Sequence, residues 1–264
     1  QLEDLLVIPI QPGRDDGLKV FRALPDAVVV PITPTFSAFI HEARVEYWTP
    51  KILPTLVGPP FNETLHVRDE IVRLLQQGGI PAKGVNDLEA EVRFPSAALQ
   101  VMLSAYHLAG YSFKHLSQNK KLLALAAQGI QEATAITKRD LGFIPLKYKP
   151  LEHINGEALS GLLWSLEHSP VSSFLNQMWS VHARKIRSQT YRNLDELLAL
   201  SLQQSKHPPI GLTALTAMTP EKIGEYLKTT HQFSRRDPQQ KIKLGLAVGF
   251  GGLMLWRLLR RAKN

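Results

Sequence analysis

Residues Asn62–Phe94 read NETLHVRDEIVRLLQQGGIPAKGVNDLEAEVRF, and a change of period begins there that sets the architecture of the whole chain. Leu65, Ile71, Leu74 and Leu75 form an apolar helical stripe behind Asn62, a residue type whose side chain accepts from the orphan amides of a helix start. Gly78-Gly79 stops that helix, Ile80-Pro81 makes a short extension, and Asp87 opens the next helix. Upstream of Pro60 the apolar pattern is that of strands, and downstream it is that of helices.

Working upstream, Leu5–Ile10 is a short apolar run bounded by Pro12-Gly13, as expected of a buried parallel strand. Asp15 and Asp16 place negative charge at a helix N-terminus, and Leu18, Val20, Phe21 and Leu24 continue that helix. Ala27–Val30 is a second buried strand. The stretch ARVEYWTPKILPTLVGPP, broken by Pro50 and Pro54, suits one or two extended segments at a sheet edge. Strands with a crossover helix make half of a doubly wound unit, without its opening turn.

Working downstream, Pro95 predicts a helix start, with Ala98, Leu99, Met102 and Leu103 inward and Gly110 after the end. Ser117 caps a helix bearing Leu122, Leu125, Ala126, Ile130, Ala133 and Ile136, in which Gly129 marks close packing. Segments Ile154–Leu166 and Val171–Gln204 complete a bundle, and Pro208-Pro209 precede a last short helix.

The formal charge of +8 on 264 residues looks like a nucleic-acid signal until it is located. Arg235–Asn264 holds eight basic residues against one acid and so carries +7, which leaves the other 234 residues at +1. Between its basic clusters lies LGLAVGFGGLMLW, Leu244–Trp256, uncharged and apolar. A bilayer span needs ~20 such residues, but Lys243 and Arg257 can snorkel and Leu258-Leu259 extend the run. Residues 244–259 are therefore expected to contact a membrane, with the rest a cytosolic-type domain. No stacking aromatics interleave with the charge, which disfavours nucleic acid. The chain has no cysteine, so disulfides, thiolate metal sites and a cysteine nucleophile are excluded. Gln1 is preceded by no methionine and followed by no secretory signal, the expectation being a processed product or a piece of a longer chain.

Four stretches in this order resemble the ketopantoate reductase family, whose C-terminal part is a helical domain like that of 6-phosphogluconate dehydrogenase. They are the opening stretch, KKLLALAAQGIQEATAITKRDLGFIP (Lys120–Pro145), SVHARKIRSQTYRNLDELLALSLQQSKHPPIGL (Ser180–Leu212) and, upstream, DLLVIPIQPGRDDGLKVFRALPDAVVVPITPTF (Asp4–Phe36). The resemblance implies α/β plus all-α architecture. Residues 1–60 would be a partial Rossmann-like nucleotide-domain half, 61–218 the helical domain, and 219–264 a basic linker with an apolar tail helix. It further implies NADP, a small carbonyl substrate and a homo-oligomer such as a dimer.

The same resemblance puts a protonating lysine on the second helix of the helical domain, followed by two substrate-binding asparagines at four-residue steps. Aligned from Asp87-Leu88, those positions are Phe94, Ala98 and Met102, none of which donates a proton. The family's glutamate on the long helix falls at Gln189, which keeps hydrogen bonding and loses charge. Cofactor-facing positions correspond to Gln11, Arg14 and Thr33, although no G-x-G-x-x-G occurs in the sequence to approach a pyrophosphate. NADP is thus expected only if that turn is supplied upstream of this chain.

Other candidate groups are weaker. Glu152-His153 and Glu167-His168 are adjacent pairs that diverge on a helix, so capping or solvated roles are expected and no metal site. His107 and Tyr106 close the second helix, and a histidine facing a cleft could stand in for the lost acid. Arg184, Lys185, Arg187 and Arg192 make a basic run that reads first as a solvated face. Two functions follow: a divergent NADP-dependent oxidoreductase on a 2-oxo acid or related carbonyl, its activity altered or lost, or a noncatalytic membrane-associated scaffold or ligand-binding protein.

Overall fold

The computed structural model describes residues 5–10, 16–41, 43–49, 53–58, 65–169, 172–205, 207–220 and 222. The chain divides into two compact units, Gln1–Ser96 and Ala97–Asn264. The first is mixed α/β and the second helical.

In the first unit, β1 (Leu6–Val7) runs parallel to β2 (Val28–Val29), with α1 (Asp16–Ala23) as the crossover. The ladder continues past the named strands: the amides of Val28, Val30 and Ile32 donate to the carbonyls of Leu5, Val7 and Pro9 at 2.9, 3.0 and 2.9 Å. β3 (Ile32–Thr33) is therefore an extension of β2, interrupted at Pro31, which has no N–H to give. β3 pairs antiparallel with β6 (Thr55–Val57), and β6 pairs parallel with β7 (Ala82–Gly84). Four extended segments thus lie side by side as two parallel pairs of opposite direction. Between them β4 (Ser37–His41) and β5 (Arg44–Trp48) form an antiparallel hairpin.

Two expectations change here. Leu5, Leu6, Ile8 and Ile10 are 41%, 45%, 38% and 58% exposed rather than buried, because among the described residues β1 has a neighbour on one side only. The segment after Pro54 is central rather than at an edge. Pro54 precedes the strand, so its missing amide costs no ladder bond, and the Thr55 amide donates to the Pro81 carbonyl at 2.8 Å.

α2 (Leu65–Gln77) lays Ile71, Val67, Val72 and Leu75 on Val30, Ile32 and Val57. Leu74, expected on that stripe, stands 54% exposed at its margin. Gly79, at φ +79°, ends the helix in the left-handed region, and the Ile80 amide closes back on the Leu75 carbonyl at 2.9 Å. The chain then enters β7, a strand where the sequence suggested only a short extension. The period changes at residue 60, yet the compact unit runs on to Ser96, because α2 and β7 pack on β6.

α3 (Leu88–Leu108) opens as expected at Asp87, whose Oδ1 accepts from the Ala90 amide at 2.9 Å. It runs on through Pro95 instead of restarting there. An interior proline costs ~3 kcal/mol, and buried residues on either side, Val92 and Phe94 before it and Ala97 and Val101 after it, outweigh that cost. The inward face passes through Ala97, Val101, Ala105 and Leu108, so Leu99 is 41% exposed, contrary to the sequence pattern.

The second unit is organised on α5 (Lys120–Leu141), which packs against α6 (Gly156–Glu167), α8 (Arg187–Gln204), α9 (Ile210–Ala217) and a 3-10 segment, Leu146–His153. All six apolar residues read from the sequence are buried in its core. The expected cap is displaced: Ser117 lies inside a short helix, α4 (Phe113–Gln118), and Asn119 caps α5 by accepting from the Leu122 amide at 3.0 Å. Asn119 also closes α4 through its own amide, so one residue makes the corner. The long helix read from Val171 to Gln204 is two, α7 (Ser172–Lys185) and α8, parted at Ile186.

Gly129 does mark a close approach. A Cβ there would stand 2.9 Å from Leu215 Cδ1 and 3.1 Å from Val101 Cγ1, and one on Gly211 would meet the Gly129 amide nitrogen at 2.9 Å. Among the described residues no helix is long and apolar enough to cross a membrane. The apolar segment 244–259 lies outside the described residues.

Candidate functional site

α3 carries a polar row on a buried face. Gln100, Ser104 and His107 are spaced by four and three residues, which places them on one side of the helix, and their exposures are 5%, 0% and 6%. Buried polar groups require partners. Ser104 Oγ donates to the Leu215 carbonyl of α9 at 2.9 Å. His107 Nδ1 lies 2.7 Å from the Tyr191 hydroxyl of α8, with the two rings near perpendicular at 89°.

His107 and Tyr191 therefore form a hydrogen-bonded pair between α3 and α8, and Ser104 ties α3 to α9. Burial pushes the Tyr191 phenol above its ordinary range, against the opposing influence of the Ser104 hydroxyl and the charge of Arg187. The hydroxyl keeps its proton at neutral pH. The Tyr111 ring stands 5.2 Å from His107, and the Arg184 guanidinium covers Tyr111 at 4.9 Å. Tyr106, 1% exposed, packs on Phe113 at 4.7 Å and Trp179 at 6.1 Å. Its phenol is also raised by burial, with Arg184 opposing.

A phenol bonded to an imidazole can pass a proton across a short hydrogen bond. On the same two helices two buried polar atoms have no hydrogen-bond partner among the described residues: Gln100 Oε1 and Thr190 Oγ1. An unsatisfied buried group costs ~1–3 kcal/mol, so water or a polar ligand atom reaching either one would relieve that cost. Sequence reading found His107 and missed Gln100, Ser104 and Tyr191. The signal was present as polar residues at helical spacing within FPSAALQVMLSAYHL, but the partner on α8 has no local signature.

The positions implied by the family resemblance fall elsewhere. Phe94 is fully buried, while Ala98 and Met102 are half-buried against the helical core. Four-residue steps advance the helix by ~40° beyond a full turn, so these three drift around it instead of holding one strict line. Gln189 is half-buried on α8, one residue from Thr190, and Ser188 is exposed. His107 stands off that stripe, as its spacing indicated, in the row with Gln100 and Ser104.

On the sheet, Thr33 sits at the end of β3, and its Oγ1 is buried without a hydrogen-bond partner among the described residues. The neighbouring Ile32 is bridged in parallel to Ile10. Gln11 and Arg14 lie outside the described residues.

The adjacent carboxylate–histidine pairs have local roles. Glu152 pairs with Lys138 at 2.7 Å, Glu167 accepts from Ser117 Oγ at 3.3 Å, and His168 bonds the Trp164 carbonyl at 2.8 Å while stacking on its ring. Among the described residues no three histidine, aspartate or glutamate side chains are grouped to hold a metal ion. Comparison with protein-family models, with curated proteins and with solved structures returned no match.

Proposed function

We propose that this chain is a divergent ketopantoate-reductase-like protein that has lost the family's carbonyl reduction, and whose helical unit acts as a ligand-binding or scaffolding module. Phe94 carries the reading. Where the resemblance expects a protonating lysine, a phenyl ring stands with 0% exposure. Ala98 and Met102 then replace the groups expected to anchor an oxo acid.

α3 contains no lysine, and its one arginine, Arg93, lies 4.0 Å from Glu89. A guanidinium stays charged at any working pH and is a poor proton donor. In this reading the mixed sheet descends from the later part of a doubly wound domain, the apolar run 244–259 contacts a membrane, and the chain forms a homo-oligomer.

A second reading, an NADP-dependent oxidoreductase on a 2-oxo acid or related carbonyl, draws support from the unpartnered Thr33 hydroxyl, which offers a hydrogen bond at the end of a strand. The fit of the cofactor is incomplete. No G-x-G-x-x-G occurs in this sequence to supply a pyrophosphate-binding turn.

Purified full chain mixed with NADPH and ketopantoate or another 2-oxo acid separates the readings. The expected result is no oxo-acid-dependent loss of NADPH absorbance. Saturable oxidation that requires both components would replace the binding-module reading with the oxidoreductase one.

A further inference from the structure

From His168 to Leu194 the chain has no acidic residue, while Arg184, Lys185, Arg187 and Arg192 crowd the junction of α7 and α8. All four are exposed. Some described cations elsewhere have carboxylate partners, as in Lys19–Asp16 and Arg73–Glu70. Among the described residues none of these four has a carboxylate within 4.0 Å.

Local structure does not account for the cluster. Arg184 and Lys185 suit the C-terminal turn of α7, where the helix dipole favours positive charge. Arg187 opens α8, where the dipole disfavours it. An exposed cluster of cations that no carboxylate matches is complementary to an anionic surface.

We propose that the α7–α8 elbow is a docking face for an anionic phospholipid surface. Two observations favour lipid over nucleic acid. The nearby rings are engaged, since Tyr111 lies under Arg184 and Tyr191 is bonded to His107, so neither is free to stack on a base. Val181, by contrast, presents an aliphatic side chain at 56% exposure beside the cations. The apolar run Leu244–Trp256 is compatible with the same membrane: the 21 residues 223–243 can span at most about 70 Å, enough for both to meet one surface.

The test compares the full chain with the triple variant Lys185→Glu/Arg187→Glu/Arg192→Glu, which leaves Arg184 on Tyr111. Both are sedimented with phosphatidylcholine vesicles and with vesicles containing about 30% phosphatidylserine, a PS-rich surface, after circular dichroism has shown equal helicity. Each basic residue near such a surface contributes about fivefold in affinity. The variant should therefore lose tenfold or more of its binding to the anionic vesicles, with binding to the neutral ones unchanged because it does not depend on the elbow. Undiminished preference for anionic vesicles in the variant overturns the proposal. So does equal binding of the parent chain to both vesicle types. If the triple variant misfolds, the single variants Arg187→Gln and Arg192→Gln should each weaken anionic binding several-fold, and no change in either also overturns it.

Discussion

Glu132 on α5 accepts a 2.9 Å hydrogen bond from the backbone amide of Leu212, in the first turn of α9. Its other oxygen accepts from the Gly211 amide at 3.0 Å and from Gln128 Nε2 at 2.9 Å. Pro209, the N-cap of α9, makes no side-chain capping bond. A carboxylate on one helix thus does the work of a cap for another.

Glu132→Ala should cost ~1–3 kcal/mol of unfolding free energy, from two orphaned amides and a lost charge at a helix N-terminus. Glu132→Gln keeps an acceptor and should cost less than half as much. Urea denaturation of the two variants checks the order, and equal losses would mean that a neutral acceptor contributes nothing and the charge carries the whole effect.

The α5–α9 crossing is set by two glycines. In Gly211→Ala the new methyl meets the backbone nitrogen of Gly129, whereas in Gly129→Ala it meets the movable end of Leu215. Alanine gains ~1 kcal/mol of helix propensity over glycine, and overpacking costs ~1–3 kcal/mol. Gly211→Ala should therefore destabilise more than Gly129→Ala, as read from thermal melts.

Restoring the expected family lysine should not restore a site. Phe94→Lys places an ammonium where the ring has no exposure, and Phe94→Ala leaves a cavity worth ~3–5 kcal/mol. Both should lower the melting temperature sharply, with no NADPH oxidation gained by the lysine variant. A stable, active Phe94→Lys enzyme would show that the position still faces substrate.

The two buried phenols make stability depend on alkaline pH. Burial raises the phenol pKa of Tyr106 and Tyr191 in the folded state. A raised folded value means that the contribution is complete below the unfolded value of ~10 and fades as pH climbs through the folded one. Denaturation midpoints should therefore hold from neutral pH to ~10 and fall above it. Tyr191→Phe should start lower, having lost the bond to His107, and then decline less steeply; parallel curves would mean that the Tyr191 phenol is not perturbed.

How much could be read in advance differs between the units. In the helical unit the α5 stripe and the Gly129 contact were legible, because apolar spacing and a glycine within it act within a few residues. The Ser117 cap was misplaced because Asn119, two residues on, has a better acceptor in line with the Leu122 amide. In the α/β unit β3, β4 and β7 were not anticipated, since strands of a few residues have too little period to detect, and which neighbour flanks β1 or β6 is not a local property.

The sequence by itself determined where strands give way to helices, where the charge gathers, and that no glycine-rich phosphate turn or α3 lysine is available, because each is a matter of residue identity along a line. Only the tertiary structure decided that His107 meets Tyr191, that Glu132 caps α9, and that α3 continues through Pro95. Those outcomes join residues some eighty positions apart, or weigh a local penalty against burial, and both depend on which surfaces exclude water together.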